Sequence, residues 1–172
     1  AIVAACGGGE SADGPSNKVG INAMVTFGDS LSDIGSYNVG SIAGLGQATG
    51  GAGRFTVNAT TGGQIWTERI AALLPVPTTC SAQTGMYPNI AGLVGAPATA
   101  KSNCFNYAQG CSLVTSLLVI QSYLWQGAPF NQYNLGFTTK PVKDQMAAHL
   151  TAAGGSYTGR ELVTGLAGAN DV

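Results

Sequence analysis

The sequence predicts one α/β domain in which parallel strands alternate with crossover helices. Three short runs of strand-forming residues lie far apart, at 24–27, 104–108 and 161–167, and segments with helical spacing lie between them, at 63–75 and 141–155. This alternation is the order that parallel sheets with crossover connections require. No linker divides the chain, so residues 21–172 are expected to be the amino-terminal part of a single domain. Residues 1–20 are expected to form a flexible leader.

The first strand, residues 24–27, stops abruptly at Gly28-Asp29-Ser30. An apolar run that ends in glycine and small polar residues predicts a buried strand followed by a sharp turn. We expect a helix to begin at this turn, so that Ser30 is exposed at the sheet edge with its own N–H available to an anion. Residues 35–63 are rich in glycine, have no lasting period and predict a long loop.

The first helix is predicted from apolar residues at helical spacing, and Pro75 ends it. These residues are Ile65, Trp66, Ile70, Leu73 and Leu74. Residues 75–103 are rich in proline, glycine and threonine and predict irregular structure. The second strand, residues 104–108, follows them and is closed by Gln109-Gly110.

The second helix is predicted to start near Pro141 and to end at Gly154-Gly155. Its apolar residues recur at four-residue steps, namely Val142, Met146 and Leu150. The third strand runs into residues 168–171, Gly-Ala-Asn-Asp. Because the carboxyl ends of parallel strands meet at one edge of a sheet, we expect Ser30, Gly110 and Asn170 to lie close together.

The charge composition argues against two kinds of partner. The formal net charge is -1, so we expect no binding to nucleic acid or to an anionic membrane. Charged residues make up 9% of the chain, against roughly 25% in an average soluble protein. Between Arg69 and Lys140 the only charged residue is Lys101. This stretch fits either the weakly charged surface of an exported protein or an apolar face that meets an apolar or polymeric substrate.

The positions of the cysteines indicate where in the cell the protein is located. Cys6 follows small residues and precedes three glycines, a pattern typical of a bacterial lipoprotein signal, although it also fits an incidental cysteine in a leader. We therefore expect an exported protein, either secreted or an outer-membrane or periplasmic lipoprotein of a bacterium. Cys80 and Cys104 flank an irregular segment and are the best candidates for a disulfide, which leaves Cys111 with a thiol.

No metal or cofactor is expected. The chain has one histidine and no Cys-x-x-Cys pair, so metal ligands are scarce. The glycines between residues 44 and 53 match neither a dinucleotide-binding nor a phosphate-binding motif.

Acyl transfer through a covalent intermediate requires a nucleophile, a base and donors for the oxyanion. Ser30 has the right chemistry for the nucleophile, and Gly110 and Asn170 have the right chemistry for the oxyanion donors. Each also has a simpler explanation: Ser30 as a helix N-cap, Gly110 as a glycine with positive φ, and Asn170 as a turn former.

Three blocks, in order, resemble those of the GDSL (SGNH) family of serine ester hydrolases. Residues 26–35, Thr-Phe-Gly-Asp-Ser-Leu-Ser-Asp-Ile-Gly, are similar to the first block, residues 106–110, Asn-Tyr-Ala-Gln-Gly, to the second, and residues 168–171 to the third. Residues 53–56, Gly-Arg-Phe-Thr, resemble a stretch common between the first two blocks. The resemblance covers about residues 22–172.

The resemblance implies a flavodoxin-like three-layer α/β/α sandwich around a parallel sheet, incomplete in this chain. It implies hydrolysis of carboxylic esters through an acyl-enzyme, as in esterases and lipases. The implied roles are nucleophile for Ser30, oxyanion donors for Gly110 and Asn170, and supporting hydrogen bonds for Asp29, Asp33 and Asp171. The implied substrate is an ester with an acyl or aromatic group.

Two departures from the family pattern stand out. Cys111 occupies a position that is usually glycine, beside the oxyanion donor. The family's Asp-x-x-His block does not occur in these residues, and the only histidine, His149, has the wrong spacing and is expected to be an ordinary helix residue. We expect the base to come from a carboxy-terminal segment or a second chain. A catalytically silent fragment or binding module, and an acyltransferase with the same site, remain alternatives.

Overall fold

A computed structural model describes residues 20–40, 43, 53–54, 56–57, 61–85, 97–116 and 139–171. Within these residues the chain forms a mixed α/β structure with a small parallel sheet. The strands are β1 (Ala23–Gly28), β2 (Gln83–Thr84), β3 (Thr99–Ala100) and β4 (Glu161–Leu166). The helices are α1 (Trp66–Ala71) and α2 (Val142–Ala152).

The parallel sheet joins the first and last predicted strands. β1 and β4 pair in parallel, from Ala23 opposite Glu161 to Gly28 opposite Leu166. This pairing confirms that the first and last predicted strands run parallel in one sheet, and it shows that they are direct neighbours. Because both strands run in the same direction, the residues that follow Gly28 and Leu166 lie at the same edge of the sheet.

The predicted strand at 104–108 is wrong as a regular strand, although its backbone does lie beside β1. Asn106 forms isolated parallel bridges to Thr26 and to Ser81. The Thr26 N–H donates to the Phe105 carbonyl at 3.0 Å, and the Tyr107 N–H donates to the Thr26 carbonyl at 2.8 Å. The Gln109 N–H also donates to the Gly28 carbonyl at 3.1 Å, but the Gly28 N–H donates to the Gln145 side chain at 2.9 Å, so one bond of a regular ladder is missing.

The two helices lie where the sequence predicts them. α1 ends at Ala71, and residues 72–75 continue as turns, with the Leu74 N–H donating to the Ala71 carbonyl at 3.1 Å. α2 begins directly after Pro141 and is closed by Gly155, whose N–H donates to the Leu150 carbonyl at 2.7 Å. Gly155 has a φ of 95°, which favours glycine at this helix end.

The apolar row of α2 is not its buried face. The buried residues of this helix are Gln145 and His149, whereas Met146 is 44% exposed. Polar burial is a general feature of the described residues, in which the buried polar side chains outnumber the buried apolar ones. Many of them cluster around the carboxyl end of β1. Buried polar groups require hydrogen-bond partners, so this region is held together by a network and not by apolar contact alone.

The predicted disulfide between Cys80 and Cys104 is confirmed, with a separation of 24 residues. It closes the segment that contains β2 and β3, which pair antiparallel. Cys6 lies outside the described residues, and so do residues 86–96 and 117–138 of the weakly charged stretch. None of the described helices has the length and apolar character needed to cross a membrane.

Candidate active site

Ser30 lies two residues beyond the end of β1, in a tight turn. The Asp29 carboxylate accepts the Leu31 N–H at 3.0 Å, and the Asp29 carbonyl accepts the Ser32 N–H at 3.0 Å. The Thr56 hydroxyl donates to the Ser30 carbonyl at 3.0 Å. Among the described residues, neither the hydroxyl nor the N–H of Ser30 has a partner. Both groups are therefore available to a ligand at this half-buried position.

The expected helix after Ser30 is wrong, because residues 29–32 and 34–37 form turns and bends. The cause is the Asp33 carboxylate. It accepts the backbone N–H groups of Gly35 at 2.9 Å and Ser36 at 2.7 Å. A helix would direct these N–H groups to main-chain carbonyls instead. The Ser30 N–H therefore lacks the helix N-terminus that the sequence predicted for it.

Asp33 also joins the first block to the second. Its Oδ2 atom accepts the Ser36 hydroxyl at 2.6 Å and the Gly110 N–H at 2.9 Å. With Gly35 and the Ser36 N–H, this gives four hydrogen bonds to one fully buried carboxylate. Burial raises the pKa of Asp33 above its ordinary value, and these hydrogen bonds act against that shift.

The N–H of Gly110, a predicted oxyanion donor, already has a hydrogen-bond partner. Its only N–H donates to Asp33, and its carbonyl accepts the Tyr37 hydroxyl at 2.6 Å. An oxyanion can use this N–H only by sharing the hydrogen with Asp33 or by displacing it. A positive φ does not explain Gly110, because in this part of the described chain it is Cys111 that has one, at 66°.

Cys111 brings a side chain to the position beside Gly110. Burial raises the pKa of its thiol to about 11, and the nearby charges of Asp33 and Asp29 add to this shift. The thiol therefore stays protonated near neutral pH, which makes it a poor nucleophile. Its left-handed backbone is a conformation that costs about 1 kcal/mol or more for a residue with a Cβ atom.

Asn170 and Asp171 connect the third block to residues 112–114, which follow the second block. The Asn170 amide donates to the Ser112 carbonyl at 2.9 Å. The Asp171 carboxylate accepts the Val114 N–H at 3.1 Å. An amide nitrogen carries two hydrogens, so one Asn170 hydrogen is left for a ligand. The Asp171 N–H donates to the Gly168 carbonyl at 3.1 Å, which shows that the predicted turn is also present.

Asp29 has one carboxylate oxygen without a partner. The residue is fully buried, and its Oδ2 atom accepts no hydrogen bond within the described structure. Burial raises the pKa of Asp29, and the charge of Asp171 raises it further, while the N–H groups of Leu31 and Ala169 act in the opposite direction. The influence of Ala169 and Asp171 on this pKa indicates that the third block lies close to the first.

Arg54 brings a further stretch of sequence to this edge. Arg54 pairs with Glu68 at 2.7 Å and donates from its Nε atom to the Ile34 carbonyl at 3.2 Å. Arg54 therefore ties the 53–56 stretch to the segment after Ser30. Phe55 lies outside the described residues.

His149 belongs to an aromatic cluster. Its ring lies 5.3 Å from that of Tyr107 and 5.1 Å from that of Tyr157, with Phe27 and Phe105 at 6.0 Å. Its Nδ1 atom lies 3.3 Å from the Tyr107 hydroxyl, and its Nε2 atom is buried without a partner in the described residues. Burial lowers the pKa of His149. No contact joins it to Ser30 within that part of the chain.

Sequence reasoning missed two residues that build this site. Gln145 of α2 hydrogen-bonds to Gly28, and the Asn106 amide donates to the Ser32 carbonyl at 3.0 Å. Asn106 lies in the second block and could have been found there. Gln145 carries no signal in the sequence, because a glutamine between apolar helix positions is typical of an exposed face.

Comparison with known proteins adds no assignment. Neither a scan against protein-family models nor a search of curated proteins found a match to this chain.

Proposed function

We propose that this chain carries the nucleophile-bearing part of a GDSL-type serine ester hydrolase. One observation supports this more than any other. The Asp33–Gly110 hydrogen bond links the first block to the second, and the Asn170–Ser112 hydrogen bond links the third block to the turn just beyond Gly110. A nucleophile with oxyanion donors nearby is the arrangement that acyl transfer needs.

In the proposed reaction, the Ser30 hydroxyl oxygen attacks the carbonyl carbon of a carboxylic ester. The Ser30 N–H and the second hydrogen of the Asn170 amide donate to the oxyanion, and Gly110 joins them if its N–H turns from Asp33. A histidine oriented by an aspartate, from another segment of the complete protein, takes the serine proton and passes it to the departing alkoxide. Water then attacks the acyl-enzyme, releases the acid and restores Ser30.

The proposal extends to the fold and to location. A flavodoxin-like three-layer α/β/α sandwich is supported by the parallel pairing of β1 with β4 and by the parallel bridges of Asn106 to Thr26 and Ser81. Export is supported by the Cys80–Cys104 disulfide, since such bonds persist in oxidising compartments. A lipid on Cys6 is part of the same proposal.

The test is Ser30→Ala in the complete protein. Loss of the nucleophile removes the covalent intermediate, so we expect hydrolysis of a short p-nitrophenyl ester to fall by at least about 1000-fold. Ser102→Ala is the matched control, since Ser102 is an exposed serine outside the site, and it should retain wild-type turnover. Unchanged hydrolysis in Ser30→Ala would contradict the proposal.

A catalytically silent module is the second candidate, and two observations favour it. His149 makes its contacts in the aromatic cluster, and the Gly110 N–H is already held by Asp33. A fluorophosphonate probe separates the two candidates, because it reacts with activated serines. Labelling of wild type but not of Ser30→Ala supports the hydrolase, whereas no labelling of either protein supports the silent module.

A further inference from the structure

The side-chain amide of Gln145 forms a two-way pair with the backbone of Gly28. The Gly28 N–H donates to Gln145 Oε1 at 2.9 Å, and Gln145 Nε2 donates to the Gly28 carbonyl at 2.9 Å. Gln145 is 1% exposed, so both bonds are shielded from water. The amide thus meets Gly28 with one acceptor and one donor, as the backbone of an adjacent strand would.

The same amide reaches the turn that follows the second block and the residues just before α2. Gln145 Nε2 lies 3.1 Å from the Ser112 hydroxyl oxygen and 3.1 Å from the Lys140 carbonyl, so its two hydrogens are shared among three acceptors. The Gly28 carbonyl also accepts the Gln109 N–H at 3.1 Å. Gln145 therefore connects α2 to both the turn that holds Ser30 and the turn that holds Gly110.

Gly28 is a point at which small displacements matter. Its φ is 150°, and a Cβ atom built there would lie 2.2 Å from the Leu166 carbonyl oxygen. The backbone is therefore held against β4 on one side and by Gln145 on the other. Ser30 follows only two residues later, so a change in the orientation of the Gly28 peptide would also displace the Ser30 hydroxyl.

We propose that Gln145 is a positioning residue for Ser30, acting through the Gly28 peptide; this inference rests on the proposed hydrolase function. The amide restricts the nucleophile turn to one orientation before substrate binds. A misplacement of about 1 Å can cost about 100-fold in rate, even when the mutated residue does not touch the substrate. Substrate contacts are unaffected, so the effect belongs in kcat and not in KM.

The first experiment compares Gln145→Met with wild type in the complete protein. Turnover of a p-nitrophenyl ester is divided by the amount of fluorophosphonate-labelled serine, which corrects for misfolded protein. We expect kcat per labelled site to fall about 10- to 100-fold with KM within about twofold. Gln83→Met is the matched control, because Gln83 is also buried but its Nε2 atom has no partner in the described residues. Its kcat should stay near that of wild type.

The second experiment uses Gln145→Glu and pH, and it applies even if Gln145→Met does not fold. An ionised glutamate places an acceptor against the Gly28 carbonyl, whereas a protonated one restores a donor there. The ratio of Gln145→Glu to wild-type kcat, each per labelled site, should therefore rise at least about fivefold between pH 8 and pH 5, because burial favours the protonated acid. A role in stability alone changes the amount of folded protein and leaves this ratio constant.

The outcomes separate the two proposals. If wild type neither hydrolyses the ester nor labels at Ser30, the proposed function fails. If wild type is active and labelled, but kcat per labelled site is unchanged in Gln145→Met or the Gln145→Glu ratio is independent of pH, only the role of Gln145 is overturned.

Discussion

The two strands of the parallel sheet end in different surroundings. Residues 24–28 of β1 are all buried, and the turn after them is held by the four hydrogen bonds to Asp33 and the two to Gln145. β4 has no buried residue, and Val163 and Leu166 are more than 40% exposed. The proposed nucleophile, Ser30, thus follows a buried strand end that many hydrogen bonds hold in place. Asn170 follows a strand that has no buried residue.

This contrast shows where a displacement is tolerated. A buried network loses several bonds when one member moves, because the unpaired groups cannot turn to water. An exposed turn replaces lost bonds with water at little cost. The backbone at Gly28, which precedes Ser30, is therefore expected to tolerate less displacement than the exposed strand that precedes Asn170.

The largest effect is expected from adding one methyl group to each strand. Gly28→Ala places a Cβ atom 2.2 Å from a backbone oxygen of β4, whereas a Cβ at Gly165 meets nothing within 4 Å. We expect Gly28→Ala to lower the free energy of unfolding by more than about 3 kcal/mol and Gly165→Ala to change it by less than about 0.5 kcal/mol. Urea unfolding measures both, and similar losses in the two variants would contradict the contrast.

An intermediate effect is expected from exchanging carboxylate for amide at two buried aspartates. Each oxygen of Asp33 accepts two hydrogen bonds, so Asp33→Asn turns an amide donor toward other donors. Asp29 accepts a side-chain hydrogen bond at one oxygen only, so the same exchange disrupts fewer bonds there. We expect a loss of about 3 kcal/mol for Asp33→Asn and a smaller loss for Asp29→Asn. Unfolding curves at pH 7 test this, and the reverse order would refute it.

The smallest expected effect is on the pH dependence of the free energy of unfolding. The pKa of Asp29 in the folded protein lies above its ordinary value of 3.8. The folded state therefore binds this proton more tightly than the unfolded state, and stability is lost as pH rises from about 3.8 through the folded pKa. Asp29→Asn should lose less stability across that window than wild type does. Asp33 shifts in the same direction and His149 in the opposite one, so the difference between the two proteins isolates Asp29.

Local patterns predicted much of the framework. The β1 and β4 segments, the limits of α2 and the Cys80–Cys104 pair were all readable from strand formers, proline and glycine signals, and cysteine position. These features depend on residues near one another in the chain. The predicted helix after Ser30 failed for a local reason too, since the Asp33 carboxylate competes with the backbone for the same N–H groups.

The amino-acid order alone locates the serine turn and the two other blocks, because strand ends and turn residues follow from local propensity. It could not reveal that Asp33 holds the Gly110 N–H, that His149 lies among aromatic rings, or that Gln145 faces inward while Met146 faces out. Each of these depends on which segments pack together, with separations of 77 residues for Asp33–Gly110, 42 for Tyr107–His149 and 117 for Gly28–Gln145. This packing determines the hydrogen bonds of a buried network, because most buried polar side chains need partners that other segments of the chain supply.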